Sequence, residues 1–140
     1  MERPSLIAAV EYQIAIFLRR AILSAQKHGG VDRSAYLLLR HLEERGALGV
    51  KELALAFHLD VSTVSRQASA LEKKGWVQRV PDVHDHRAAS LEITSKGRET
   101  LRDEKARRAN LYRRLLNGWS DEEIQTFSEL LARLNNTFLD

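Results

Sequence analysis

Apolar positions recur along this chain at two periods, and the switch between them divides it into elements. Leu6, Val10, Ile14, Phe17 and Ala21 follow helical spacing, with Ile7 and Leu18 widening the stripe, so the segment from Pro4 to Lys27 is expected to form one long amphipathic helix. Pro4 suits its first turn and Gly29-Gly30 its end. The stripe is wider than a lone helix needs, and packing against other helices, including those of a second chain, is its expected use. Asp32 is placed to cap a second helix whose Ala35, Leu38, Leu39 and Leu42 form one face and which Gly46 ends. A short linker then leads to Val50.

A short helix over Lys51–Phe57, with Leu53, Ala56 and Phe57 inward, is followed by the turn His58-Leu59 and a helix capped by Asp60. In that last helix Val64, Ala68 and Leu71 recur at helical spacing. At about 100° per residue, Ser62, Ser65, Arg66, Ser69 and Lys73 fall on the opposite side, with Thr63 and Ala70 at its edge. The period then drops to two. Trp76–Val80 and Leu91–Ile93 read as paired strands, and the polar stretch between them, Pro81 to Ser90, as a projecting hairpin, a wing. Thr94 is placed to cap a further long helix carrying Leu101, Ala109, Tyr112, Leu115 and Leu116 as far as Gly118. Ser120 with Glu123 forms a capping box, and Trp119 with Ile124 takes the two positions of a hydrophobic staple, so a last helix starts there. Its apolar face is Ile124, Phe127, Leu130, Leu131 and Leu134.

The expected fold is therefore mainly α with a small β hairpin: a winged helix-turn-helix lobe flanked by N- and C-terminal helices. At 140 residues the chain suits a single domain that needs no staples. It has no cysteine, which excludes disulfides, Cys-ligated zinc and thiol nucleophiles. Neither a signal peptide nor a membrane span is read from the sequence, and a cytoplasmic location is expected. The net charge of +3 matters less than its distribution, since the basic excess lies in the middle of the chain and the acidic residues gather at the end. The small, hydroxylated and basic face of the fourth helix suits a DNA major groove, where short hydroxyls approach base edges and an Arg pairs with guanine O6 and N7.

The order of elements resembles the MarR family of bacterial winged-helix transcription regulators, over nearly the whole chain. Leu53-Ala54, Ser62-Thr63-Val64-Ser65-Arg66 and Leu71-Glu72-Lys73-Lys74-Gly75 look like its recognition segment. Asp85-His86-Arg87 followed by Leu91-Glu92-Ile93-Thr94-Ser95-Lys96-Gly97 is similar to its wing motif, and Trp119-Ser120-Asp121-Glu122-Glu123 resembles the start of its last helix. The resemblance implies one MarR-like domain over 1–140, with a winged lobe at 32–98 and helices at 4–28 and 99–138 that hold a homodimer. It also implies recognition helices in successive major grooves of a pseudo-palindromic double-stranded site, and Arg87 entering the minor groove with Asp85 orienting its guanidinium. The chain departs from the family pattern in three places: Val61 stands where Pro is frequent, Trp76 replaces an aliphatic residue, and the first turn of the second helix has Ser34, Ala35 and Tyr36 where a Gln is often found.

The expected DNA contacts are Lys51, Ser62, Thr63, Ser65, Arg66, Ser69, Lys73, Arg79, Asp85 and Arg87. Lys51, Ser69, Lys73 and Arg79 are assigned to phosphates, while Ser62 and Thr63 either read bases or hold a phosphate at the helix start. A small-molecule effector would draw on Tyr12, Tyr36, Arg40, His41 and Tyr112. His84, Asp85 and His86 carry metal-binding groups, but successive residues of a hairpin point to opposite sides, so no metal or other cofactor is expected. Arg107, Arg108, Arg113 and Arg114 read as a solvated face, as partners of the acidic C-terminus or as a track towards DNA, the first two being favoured. No catalytic motif occurs, so an enzyme is not expected. The rival readings are a winged-helix protein-interaction module and a non-specific DNA binder.

Overall fold

A computed structural model describes residues 1–28, 30–82, 84, 85 and 87–137, with the backbone alone for 24–28. Gly29, expected at the end of the first helix, His86 of the wing and residues 138–140 lie outside the described residues. The elements run α1 (Arg3–His28), α2 (Arg33–Arg45), β1 (Leu48–Gly49), α3 (Val50–Phe57), α4 (Val61–Lys73), β2 (Val77–Pro81), β3 (Ala89–Ile93), α5 (Ser95–Leu115) and α6 (Asp121–Asn136). The chain divides into two compact units, Met1–Arg33 and Ser34–Asp140.

The first unit is dominated by α1. Its stripe of Leu6, Ile7, Val10, Ile14, Phe17, Leu18, Ile22 and Leu23 is between 39% and 59% exposed. Among the described residues, no helix is long and apolar enough to cross a membrane.

In the second unit the apolar positions of α2 and α4 are buried as their spacing predicts: Ala35, Leu38, Leu39 and Leu42 on one helix, Val64, Ala68 and Leu71 on the other. Leu53 and Ala54 of α3, Val77 of β2, Leu91 and Ile93 of β3 and Leu101 of α5 complete this core. Each fully buried Leu or Val contributes roughly 1.5–3 kcal/mol relative to exposure, which is what holds short helices too weak to stand alone. The phase of α3 differs from expectation. Ala54 is buried and Ala56 exposed, because the helix turns Leu53 and Ala54 together into the core and leaves Phe57 half-buried.

The sheet has three antiparallel strands in the order β1-β3-β2. The segment before Val50, expected as a linker, is a strand: Leu48 and Gly49 pair with Leu91 and Ser90. The hairpin pairs Val77 with Ile93 through Pro81 with Ala89, so β2 starts one residue later than the alternation predicts and β3 two residues earlier. Gln78 and Glu92 face each other across it, with Gln78 Nε2 donating at 3.1 Å.

The junction of α4, β2 and α5 is tightly built. Helix α4 ends in a Schellman arrangement, with Trp76 N–H on the Leu71 carbonyl (3.1 Å), Gly75 N–H on the Glu72 carbonyl (3.0 Å) and Gly75 at φ +77°. Thr94 caps α5 by accepting from Gly97 N–H at 3.0 Å, and its hydroxyl donates to the Gly75 carbonyl at 2.6 Å. A Cβ on Gly97 would lie 2.1 Å from the Trp76 carbonyl oxygen, so this first turn of α5 tolerates no side chain there. Helix α5 stops at Leu115, three residues short of Gly118. The expected capping box starts α6: Ser120 Oγ accepts from Glu123 N–H (3.1 Å) and Glu123 Oε1 from Ser120 N–H (2.9 Å). The Trp119 ring lies 5.4 Å from that of Phe127.

Candidate nucleic-acid interface

Helix α4 owes its direction to three local signals. His58 ends α3 in the left-handed conformation (φ 54°, ψ 43°), a turn that costs a non-glycine residue roughly 1–2 kcal/mol and is sustained by Leu59 N–H on the Ala54 carbonyl at 3.0 Å. Asp60 then stands at the N-cap of α4, and Val64, Ala68 and Leu71 hold the helix down on the core. The face left outward carries Ser62, Arg66, Ser69 and Lys73, all exposed, with Thr63 and Ser65 half-buried at its edges.

The N-cap does not work by the usual contact. The Asp60 carboxylate makes no capping bond to the first-turn N–H groups; it accepts instead from Ser62 Oγ at 2.8 Å and from the Thr63 hydroxyl. Those two bonds, Thr63 first and Ser62 second, hold the Asp60 carboxyl below its ordinary range. Arg66 Nη2 in turn reaches Thr63 Oγ1 at 3.4 Å.

Of the residues assigned to phosphates, Lys51 is exposed at the second position of α3. Arg79 on β2 meets Glu72 of α4, Nε to Oε1 at 3.5 Å, so its charge is already partly matched within the lobe. Trp76 is half-buried, and the Lys74 ammonium sits 4.7 Å from the centre of its ring, a contact an aliphatic residue would not offer.

The base of the wing is closed by Asp82. Its Oδ1 accepts from the backbone N–H of His84 (2.7 Å) and of Asp85 (3.1 Å), and its Oδ2 from Ser90 Oγ (3.0 Å). The His84 N–H, then the Ser90 hydroxyl and the Asp85 N–H, lower the Asp82 carboxyl from its usual value. Asp85 and Arg87 are both exposed in the hairpin. Asp85 does not hold the Arg87 guanidinium here. Its Oδ1 accepts from the Arg87 backbone N–H at 3.0 Å and so fixes the chain direction, leaving the guanidinium unpaired with it. Of the metal-binding groups weighed in the wing, His84 and Asp85 are exposed and His86 lies outside the described residues.

Away from this face, the α2 residues assigned to an effector separate. Tyr36 and Arg40 come together, with Arg40 Nη1 donating to the Tyr36 hydroxyl at 3.2 Å. Arg108 of α5 stacks over the same ring at 4.0 Å. His41 turns the other way and meets Phe57 edge-on, ring centres 5.1 Å apart. Tyr112 on α5 and Tyr12 on α1 are exposed.

Arg107 and Arg108 make bonds within their own helix. Both close on Glu104 of their own helix, at 2.5 and 3.0 Å to its Oε1, and Arg107 Nε adds a second bond at 3.1 Å to Oε2. Glu104 is 6% exposed, and these partners, Arg107 foremost, lower its carboxyl while raising the Arg107 guanidinium. The i, i+3 and i, i+4 spacing was visible in the sequence; the burial that selects this pairing was not. Asp60 and Asp82 were likewise legible only as cap and turn residues.

Comparison with known proteins agrees with this architecture. The MarR family profile matches residues 31–89. The chain is 41% identical over 143 aligned positions, covering 100% of both, to the uncharacterized HTH-type transcriptional regulator YxaD of Bacillus subtilis. It is 31% identical over 123 positions to the transcriptional repressor MprA of Escherichia coli, covering 84% of this chain and 68% of that one. Among solved structures, a MarR family protein from Bacillus stearothermophilus superposes with a TM-score of 0.74 at 25% identity, over 97% of this chain and 96% of that one. These matches join the winged lobe, the wing hairpin and the long helices in one assignment: the chain belongs to the MarR family of DNA-binding, HTH-type transcriptional regulators.

Proposed function

We propose that the chain acts as a homodimer that binds a pseudo-palindromic operator as a ligand-responsive repressor. The observation that carries the dimer is the apolar surface of the terminal helices. Phe127, Leu130, Leu131 and Leu134 of α6 are 41% to 54% exposed, no residue of α6 is buried, and α1 carries a second such stripe. Apolar surface on this scale is stabilised by an apolar partner. Two reading helices on one dimer then meet half-sites one helical turn apart, about 34 Å.

In this reading the outward face of α4 enters the major groove. Arg66 and Ser62 meet base edges, and Lys51, Ser69, Lys73 and Arg79 meet phosphates. Arg87, exposed on the wing, enters the minor groove. The repressor role follows MprA, whose name states it. Effector response rests on Tyr36 and Arg40, a polar and aromatic pair on α2 beside Arg108 of α5. A ligand releases DNA if it prefers the dimer whose reading helices are wrongly spaced.

Enrichment of bound duplexes from a random pool, followed by binding at several salt concentrations, tests the reading. A pseudo-palindrome with one-turn spacing is expected. Arg66→Ala should cost roughly 1–3 kcal/mol and relax one base position, whereas Lys73→Ala should weaken all duplexes alike and reduce the salt slope by about one. A steep salt slope without a preferred sequence makes the protein a non-specific binder, and a single-chain mass in light scattering refutes the dimer.

A further inference from the structure

The start of α4 carries a carboxylate at an end that would otherwise attract a phosphate. Helix dipole and first-turn N–H groups both favour an anion there. Asp60 already supplies one, and its oxygens are bonded to the Ser62 and Thr63 hydroxyls rather than to the capping N–H groups of the first turn. A hydroxyl has one proton and two lone pairs. With both protons directed to Asp60, Ser62 and Thr63 offer only lone pairs to anything else. One lone pair of Thr63 receives Arg66 Nη2 at 3.4 Å. The cluster therefore ends in an acceptor at exposed Ser62 and a donor at exposed Arg66. The same hydroxyl bonds lower the Asp60 carboxyl from its ordinary value.

Resting on the assignment of α4 as the DNA-reading helix, we propose that Asp60 is a positioning and specificity-determining residue that fixes Ser62 as an acceptor and Arg66 as a donor toward the major groove. The polarity dictates the base edges. Ser62 accepts from an amino group, cytosine N4 or adenine N6, and is mismatched to thymine O4 and guanine O6; Arg66 donates to guanine O6 and N7. The Asp60 charge also repels a phosphate from the first turn, so Ser62 and Thr63 meet bases and not backbone.

Asp60→Asn is the discriminating variant, because Asn caps a helix as well as Asp but keeps only one accepting oxygen: with that oxygen on Thr63, the foremost partner of Asp60, Ser62 faces the amide N–H and its own proton is freed. Binding of the full chain to its enriched duplexes is compared with binding to duplexes altered at single base pairs. In Asp60→Asn, discrimination at the base pair facing Ser62 falls about tenfold, the scale of one base contact, while binding to random duplex is unchanged or tighter because a negative charge is gone. In a Ser62→Ala background the same substitution changes that preference no further. Unaltered base preference at an unaltered unfolding temperature overturns the proposal. So does a uniform loss on all duplexes with a lowered unfolding temperature, which marks a cap and nothing more. If Ser62→Ala and Arg66→Ala both leave the enriched sequence unchanged, the DNA-reading assignment beneath the proposal is what fails.

Discussion

The winged lobe and the terminal helices use the same apolar residue types at the same helical spacing, with opposite results. In the lobe Leu39, Leu53, Val64 and Ala68 are wholly enclosed by elements that follow one another along the chain. On α6 an equally regular stripe is enclosed by nothing within its own unit, and its capping box and acidic first turn define a helix that has no buried residue. Periodicity thus states that a face is apolar without stating what covers it. A lobe that encloses its own core is expected to fold on its own contacts, whereas the stability of the terminal helices is expected to depend on protein concentration.

That contrast is sharpened most by Leu39→Ala, which should remove roughly 2–5 kcal/mol from unfolding free energy through lost burial and the cavity left behind, measured by denaturant titration. Gly97→Ala comes next. Its Cβ meets the Trp76 carbonyl, and the forced separation of α5 from β2 should cost roughly 1–3 kcal/mol in the same measurement. Glu104→Gln should cost roughly 1.5–3 kcal/mol at pH 7, the worth of charged hydrogen bonds to Arg107 and Arg108. Because the folded carboxyl is lowered, its contribution is fully present above the ordinary glutamate value of about 4.3 and is lost as pH falls through the folded one. Denaturation midpoints of the two proteins should therefore converge in acid. Leu130→Glu, at the exposed face of α6, should change the stability of the isolated chain by no more than about 0.5 kcal/mol. Its effect should appear in light scattering, as a lower mass at a given concentration.

Much of the lobe was legible because burial follows spacing where a helix is two or more turns long. The inward faces of α2 and α4, the Thr94 cap and the Ser120–Glu123 box are all local patterns. The failures are equally physical. Leu48–Gly49 is a strand only because β3 lies beside it, and two residues carry no period of their own. The eight-residue α3 leaves its phase open, so Ala56 and Ala54 exchange places. Asp60 was visible as a cap, Asp82 and Asp85 as residues of the wing, and Glu104 only as an acidic residue three and four positions before two arginines. Their partners depend on which hydroxyl, N–H or guanidinium the fold brings within 3 Å, and for Asp85 this was the Arg87 backbone rather than its side chain.

The Thr94 hydroxyl has a kinematic consequence. One oxygen is at once the donor to the last turn after α4 and the acceptor for the first turn of α5. The cap bond to Gly97 travels with α5, so the joint to α4 is the bond to the Gly75 carbonyl: sliding either helix lengthwise by roughly 1 Å or more strains it out of hydrogen-bonding geometry, whereas a small swing about that oxygen preserves it. Any displacement delivered along α5 would reach α4 as a swing about this point.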